Sequence, residues 1–110
     1  MDSKHIYKLH AEVCKALANP VRVQVVEILS GGELCFSDIL EQKGGLKSAL
    51  SQNLSQMVSA GVLNVRKDSR CNYYSLSSDK VYKACQLMRE VLVDNLERQN
   101  TVLLKMKAEV

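Results

Sequence analysis

SDILEQKGGLKSALSQNLSQMVSAGVL, residues 37–63, decides the fold of this chain. It divides into a short helix from Ser37 to about Gln42, a break at Gly44-Gly45, a second helix and a stop at Gly61. In the second helix Leu50, Leu54, Met57 and Val58 recur at three- and four-residue steps and form one apolar stripe. The other face carries Lys47, Ser48, Ser51, Gln52, Asn53 and Ser55. Solvated helix faces ordinarily carry Glu and Lys in i, i+4 pairs. Short uncharged groups that both donate and accept suit base edges and phosphates instead. Two helices around a glycine turn, the second polar in this way, have the outline of a helix-turn-helix whose second helix enters a DNA major groove. On these residues alone, an uncharged surface helix of a small bundle fits equally well.

Upstream, Ile6, Leu9, Val13 and Leu17, with Ala16 beside it, repeat at helical spacing and predict a helix over Ser3–Ala18. Asn19 followed by Pro20 is a start signal, with Asn as N-cap and Pro at the first helical position. The helix so begun runs to about Leu29, buries Val21, Val25, Ile28 and Leu29, and stops at Ser30-Gly31-Gly32. Glu33–Phe36 bridges to the central stretch, with a brief strand as one form. Downstream, Val62–Lys67 and Tyr73–Leu76 are β-prone runs around the polar turn Asp68–Asn72, which predicts a hairpin. Arg66, Lys67 and Arg70 lie in or beside that turn. Behind a helix-turn-helix such a hairpin is a wing whose basic tip lies over phosphates; a hairpin with a solvated charged turn is the plain alternative. Ser77-Ser78-Asp79 then caps a long helix from Asp79 to about Lys107. Its stripe of Val81, Cys85, Met88, Leu92, Leu96, Leu103 and Met106 is interrupted near Gln99. At roughly 40 Å it is longer than so small a core needs. The excess apolar surface asks for a partner, and a second copy of the chain is the simplest one.

The chain has 110 residues, which fits one domain over 1–110 with a modest core. With one Phe, four Tyr and no Trp, that core must be built from Leu, Val, Ile, Ala and Met. The net charge of +3 is compatible with nucleic acid without demanding it. The opening MDSKHIYKLH has no apolar signal core and no run is long enough to span a membrane, so a cytoplasmic location without a membrane partner is expected. Cys14, Cys35, Cys71 and Cys85 are then expected as reduced thiols, and no CxxC or CxC pair marks a local zinc site. No nucleophile stands at motif spacing from a base, and both histidines fall in the first helix, which argues against an enzyme.

The order helix, helix, helix-turn-helix, hairpin, long helix, together with KALANPVRVQVVEILSGGELC, SALSQNLSQMVSAGVL and NYYSL, resembles the ArsR/SmtB family of winged-helix repressors. The resemblance covers roughly residues 15–76 in three blocks that keep the family's order and spacing. It implies a mostly α, winged helix-turn-helix fold with a small β-hairpin, in the order α-α-α-α-β-β-α. It further implies a homodimer through the first and last helices, bound to a palindromic double-stranded operator and released by an inducer. Carried onto this sequence, the DNA-contacting positions are Lys47, Ser48, Ser51, Gln52 and Asn53 on the recognition helix and Arg66, Lys67 and Arg70 in the wing. Asn53 stands where members often have His. The family's Gly-Leu-Ser before the recognition helix is Gly44-Gly45-Leu46 here, so its Ser cap is lost; Ser48 is expected to cap instead and start the helix late. Of Tyr73-Tyr74, the family's usual aromatic pair, one is expected to pack inward.

The resemblance also bears on what is sensed. ELCFSD places Cys35 where metal-sensing members carry a ligand Cys, but Ser37 stands where a second Cys often follows. His10 and Cys14, at i, i+4 on the first helix, could join a Cys35 from the other subunit in a mixed site for a thiophilic metal or metalloid. A half-buried His10 and an inert Cys14 are the plain alternative. The family's site on the last helix maps to about Ser78, Lys80, Val91 and Asp94, three of them unsuitable as ligands. The sulfur-responsive pattern of paired thiols departs at both ends, with Glu27 at one position and Cys85 early in the last helix. A protein-docking winged helix without DNA binding is the competing function.

Overall fold

The computed structural model describes residues 3–109. Helix α1 covers Ser3–Ala16 and α2 covers Pro20–Ile28. A 3-10 turn, Leu29–Gly31, leads to strand β1, Leu34–Cys35. Then follow α3, Phe36–Lys43, and α4, Lys47–Ser59. Strands β2, Leu63–Asp68, and β3, Cys71–Leu76, form the hairpin, and α5 runs Asp79–Ala108.

Local sequence accounts for most of these boundaries. Asn19, extended at φ −155, accepts a 2.8 Å hydrogen bond from the Val21 amide and starts α2 over Pro20. Helix α1 ends at Ala16, two residues short of the expected Ala18. The Leu17 and Ala18 amides already bond three residues back, to Cys14 and Lys15, because the chain must turn extended before Pro20. Gly44 and Gly45 sit at φ +75 and +84. Two consecutive left-handed residues between α3 and α4 are open to glycine and costly to anything with a Cβ. Ser78 accepts from the Lys80 amide and opens α5.

The sheet is antiparallel in the order β1-β3-β2. Leu34 pairs with Tyr74 and Cys35 with Tyr73, so the brief strand before α3 is real and ties the helix-turn-helix to the hairpin. The hairpin turn is tighter than Asp68–Asn72: Asp68 pairs with Cys71, leaving Ser69-Arg70, with Ser69 at φ +47. One buried cluster joins Val25, Val26 and Leu29 of the second helix and its end, Ile39, the α4 stripe Leu50, Leu54 and Met57, and Val62, Leu63 and Tyr74 of the hairpin. Tyr74 is the inward member of its pair.

Helices α1 and α5 lie largely outside this core. Helix α1 buries only Ala16 and α5 buries nothing fully. Ile6, Leu9 and Val13 on α1 and Met88, Leu92, Leu96, Leu103 and Met106 on α5 are exposed. The radius of gyration is 18.0 Å, against about 13 Å for a compact chain of this length. Two apolar helices extending from a small core are the cause. No helix among the described residues is long and apolar enough to cross a membrane.

Candidate DNA interface

Packing of the stripe Leu50, Leu54 and Met57 against α2 and the hairpin fixes which face of α4 points out. Ser48, Ser51 and Gln52 are exposed on it and their side chains make no hydrogen bond to other described residues. All their side-chain donors and acceptors are free for a ligand.

Helix α4 does not start late at Ser48. It begins at Lys47, with Leu46 as an extended cap residue whose carbonyl accepts from the Leu50 amide at 3.1 Å. No side chain caps it. Burial of the stripe outweighs the roughly 1 kcal/mol a Ser cap contributes. The uncapped amides of the first turn carry the positive end of the helix dipole, which favours phosphate oxygens.

Lys47 and Ser51 line a cleft of about 370 Å³ with Arg70, Cys71 and Asn72 of the hairpin and Ser37 at the start of α3. A cation from α4 and one from the hairpin turn therefore face the same space. Lys67, on β2, is exposed, and neither it, Lys47 nor Arg70 is paired with another described residue.

Two of the residues expected to contact DNA, Arg66 and Asn53, bond to other residues of the chain. Arg66 donates to Glu33 from Nε at 3.3 Å and from Nη2 at 2.7 Å, lies 3.5 Å from Asp68, and stacks 4.5 Å over the Tyr73 ring. It anchors β2 to the segment before β1 rather than projecting from the tip. Its guanidinium holds the Glu33 carboxyl below the usual carboxylate range. Asn53 is half-buried and turned toward α2: its Oδ1 accepts from Arg22 Nε at 3.0 Å and its Nδ2 donates to the Ala49 carbonyl at 2.9 Å. Arg22 also bonds the Gln56 Oε1 and the Ala16 carbonyl, the latter at 3.2 Å. Arg22, Gln56 and Glu33 were not among the expected site residues. One signal was legible for Arg22: a cation in the first turn of a helix opposes the dipole, so its placement needs another reason.

The chain as a whole is similar to known proteins. The description "Bacterial regulatory protein, arsR family" fits residues 19–65. An uncharacterized HTH-type transcriptional regulator of Mycobacterium tuberculosis, Rv0081, is 33% identical over 109 residues, covering 98% of this chain and 96% of that one. The chain belongs to the arsR family. The crystal structure of Rv0081 superposes with a TM-score of 0.76 at 32% identity, over 86% of this chain and 95% of the other. A homodimeric winged helix-turn-helix DNA-binding domain from Mycobacterium bovis superposes at 0.77 with 29% identity, over 89% and 92%. The arsenical resistance operon repressor of Staphylococcus aureus is 31% identical over 71 residues, 64% of this chain and 68% of that one. As a member of this family the chain is a DNA-binding transcriptional regulator with a winged helix-turn-helix fold.

The expected sensor residues are not gathered in one protomer. His10 and Cys14 are exposed on α1. Cys35 is the cap residue of α3, where its Sγ lies 3.1 Å from Ser37 Oγ and 3.1 Å from the Asp38 carboxylate. Among the described residues no three of His, Cys, Asp or Glu are placed to hold a metal ion. Cys85 lines a separate cleft between α2 and α5, where burial pushes its thiol up.

Proposed function

We propose that the chain acts in the cytoplasm as a homodimeric repressor of a palindromic operator, from which an inducer acting at Cys35 releases it. The observation that carries this is the uncommitted polar face of Ser48, Ser51 and Gln52, flanked by the unpaired Lys47, Lys67 and Arg70. These residues reach one duplex together only if α4 enters the major groove and the wing follows the backbone. The exposed apolar sides of α1 and α5 supply the dimer surface, and a two-fold axis there repeats α4 about one helical turn along the DNA. The M. bovis relative is homodimeric and the S. aureus relative is a repressor, which agrees with both parts of the reading. Cys35 stands between β1 and α3, at the entry to the reading unit. Chemistry on its sulfur displaces the contacts to Ser37 and Asp38 in the first turn of α3. His10 and Cys14 would meet a Cys35 only across the dimer.

Selection of duplexes from a randomised pool tests the proposal. An enriched inverted repeat with half-site centres about 34 Å apart, bound by a protein of dimeric mass, is expected. No enrichment, or monomeric binding to a single half-site, would refute it.

A further inference from the structure

Arg22 lies between three elements. Its guanidinium reaches back to the carbonyl of Ala16, the last residue of α1, and forward to Asn53 and Gln56 on α4, residues 31 and 34 positions away. The Ala16 carbonyl is one of the unsatisfied acceptors at a helix C-terminus, where a cation also suits the dipole. Asn53 and Gln56 lie at i, i+3 on α4 and offer two side-chain acceptors to one planar fork. The residue is half-buried in a groove with Glu12 and Lys15 of α1 and Ala60 at the end of α4. It therefore touches the helix that bears one exposed apolar face and the helix that reads DNA.

We propose that Arg22 is a positioning residue for DNA reading. It sets the rotation and tilt of α4 relative to α1, and Asn53 and Gln56 are its receivers rather than readers of bases. The proposal rests on the operator-binding reading above. Three physical features carry it. Both polar ends of the Asn53 amide are already bonded within the protein. The fork spans acceptors on two different helices, which a point charge on a flexible stem does not do. Beyond the packed stripe, Arg22 holds the polar flank of α4, whose other polar residues, Ser48, Ser51 and Gln52, have no internal partner to resist a twist. Through Ala16 the same group passes any shift of α1, such as one made on dimer assembly, to the reading helix.

The test uses the full chain, its selected duplex and unrelated genomic DNA. Arg22→Gln is expected to weaken binding to the selected duplex by about 30-fold to about 20,000-fold, the loss of one misaimed bidentate contact in each protomer of the dimer. Binding to unrelated DNA and the slope of affinity against salt are expected to stay as in the wild type. Arg22→Lys should behave like Arg22→Gln, because the fork is lost although the charge is kept. Asn53→Ala should add nothing on the Arg22→Gln background. Four results would overturn the proposal: a salt slope smaller by about one, which marks a direct phosphate contact; a lowered thermal midpoint with unchanged affinity, which marks a merely structural residue; full rescue by Lys; or additive losses with Asn53→Ala, which mark a base reader. Failure to enrich any duplex refutes the operator reading itself and is seen before the variants are made.

Discussion

Gln52→Ala separates base reading from every other role of the recognition helix. Gln52 is exposed and bonds to no other described residue, so truncation removes neither packing nor an internal hydrogen bond. Folding stability should then change by less than about 0.5 kcal/mol. A Gln bidentate to adenine is worth about 1–3 kcal/mol of discrimination. A dimer uses two, so the selected duplex should be bound more weakly by about 2–6 kcal/mol, or about 30-fold to about 20,000-fold. Binding to unrelated DNA should be unchanged, since the phosphate contacts remain. Fluorescence anisotropy on both duplexes measures this, with urea unfolding as the control. Unchanged affinity for the selected duplex would remove Gln52 from the reading set. Equal losses on both duplexes would show that it contacts the backbone.

Other consequences concern the wing and the thiols. The Arg66 guanidinium depresses the Glu33 carboxyl, so its contribution is present above the unfolded carboxylate pKa and is lost as pH falls through the lower folded value. The wing anchor should thus survive mild acid and release only below the usual carboxylate range. Carboxyl chemical shifts followed against pH check this, and a Glu33 that titrates normally would refute it. In alkylation at neutral pH the exposed Cys71 should react before Cys85, whose thiol burial pushes up; mass spectrometry of timed samples reads the order, and the reverse order would contradict it. Cys35→Ser should bind DNA normally but no longer respond to whichever of As(III), Cd(II), Zn(II) or a persulfide donor releases the wild type. A variant that still responds fully would place the sensor elsewhere.

What the sequence made legible was local. Asn19-Pro20, Gly44-Gly45 and the Ser78 cap each act within a few residues, and each takes the form its chemistry predicts. The α4 stripe was legible because helical periodicity alone sets which residues turn inward. The helix boundaries that moved were decided by tertiary packing. Leu46 takes the cap position although Ser48 is the better capping residue, because Leu50, Leu54 and Met57 must reach the core in register. The outward placement of Ser48, Ser51, Gln52, Lys47, Lys67 and Arg70 was legible, because each lies on a helix or hairpin face that periodicity turns away from the core. The partners of Arg66 and Asn53 were not legible. Arg66 meets Glu33 across 33 residues and Asn53 meets Arg22 across 31, and no spacing rule connects such pairs. Part of the basic character assigned to the wing is tied up in an exposed ion pair with Glu33.

The central claim is that Lys47, Lys67 and Arg70 from each of two protomers grip one duplex. The direct measurement is the dependence of binding to the selected duplex on salt concentration. Six neutralised phosphates predict a linear fall of log affinity with log salt, of slope about −5. A slope near zero, or no binding at low salt, would contradict the account.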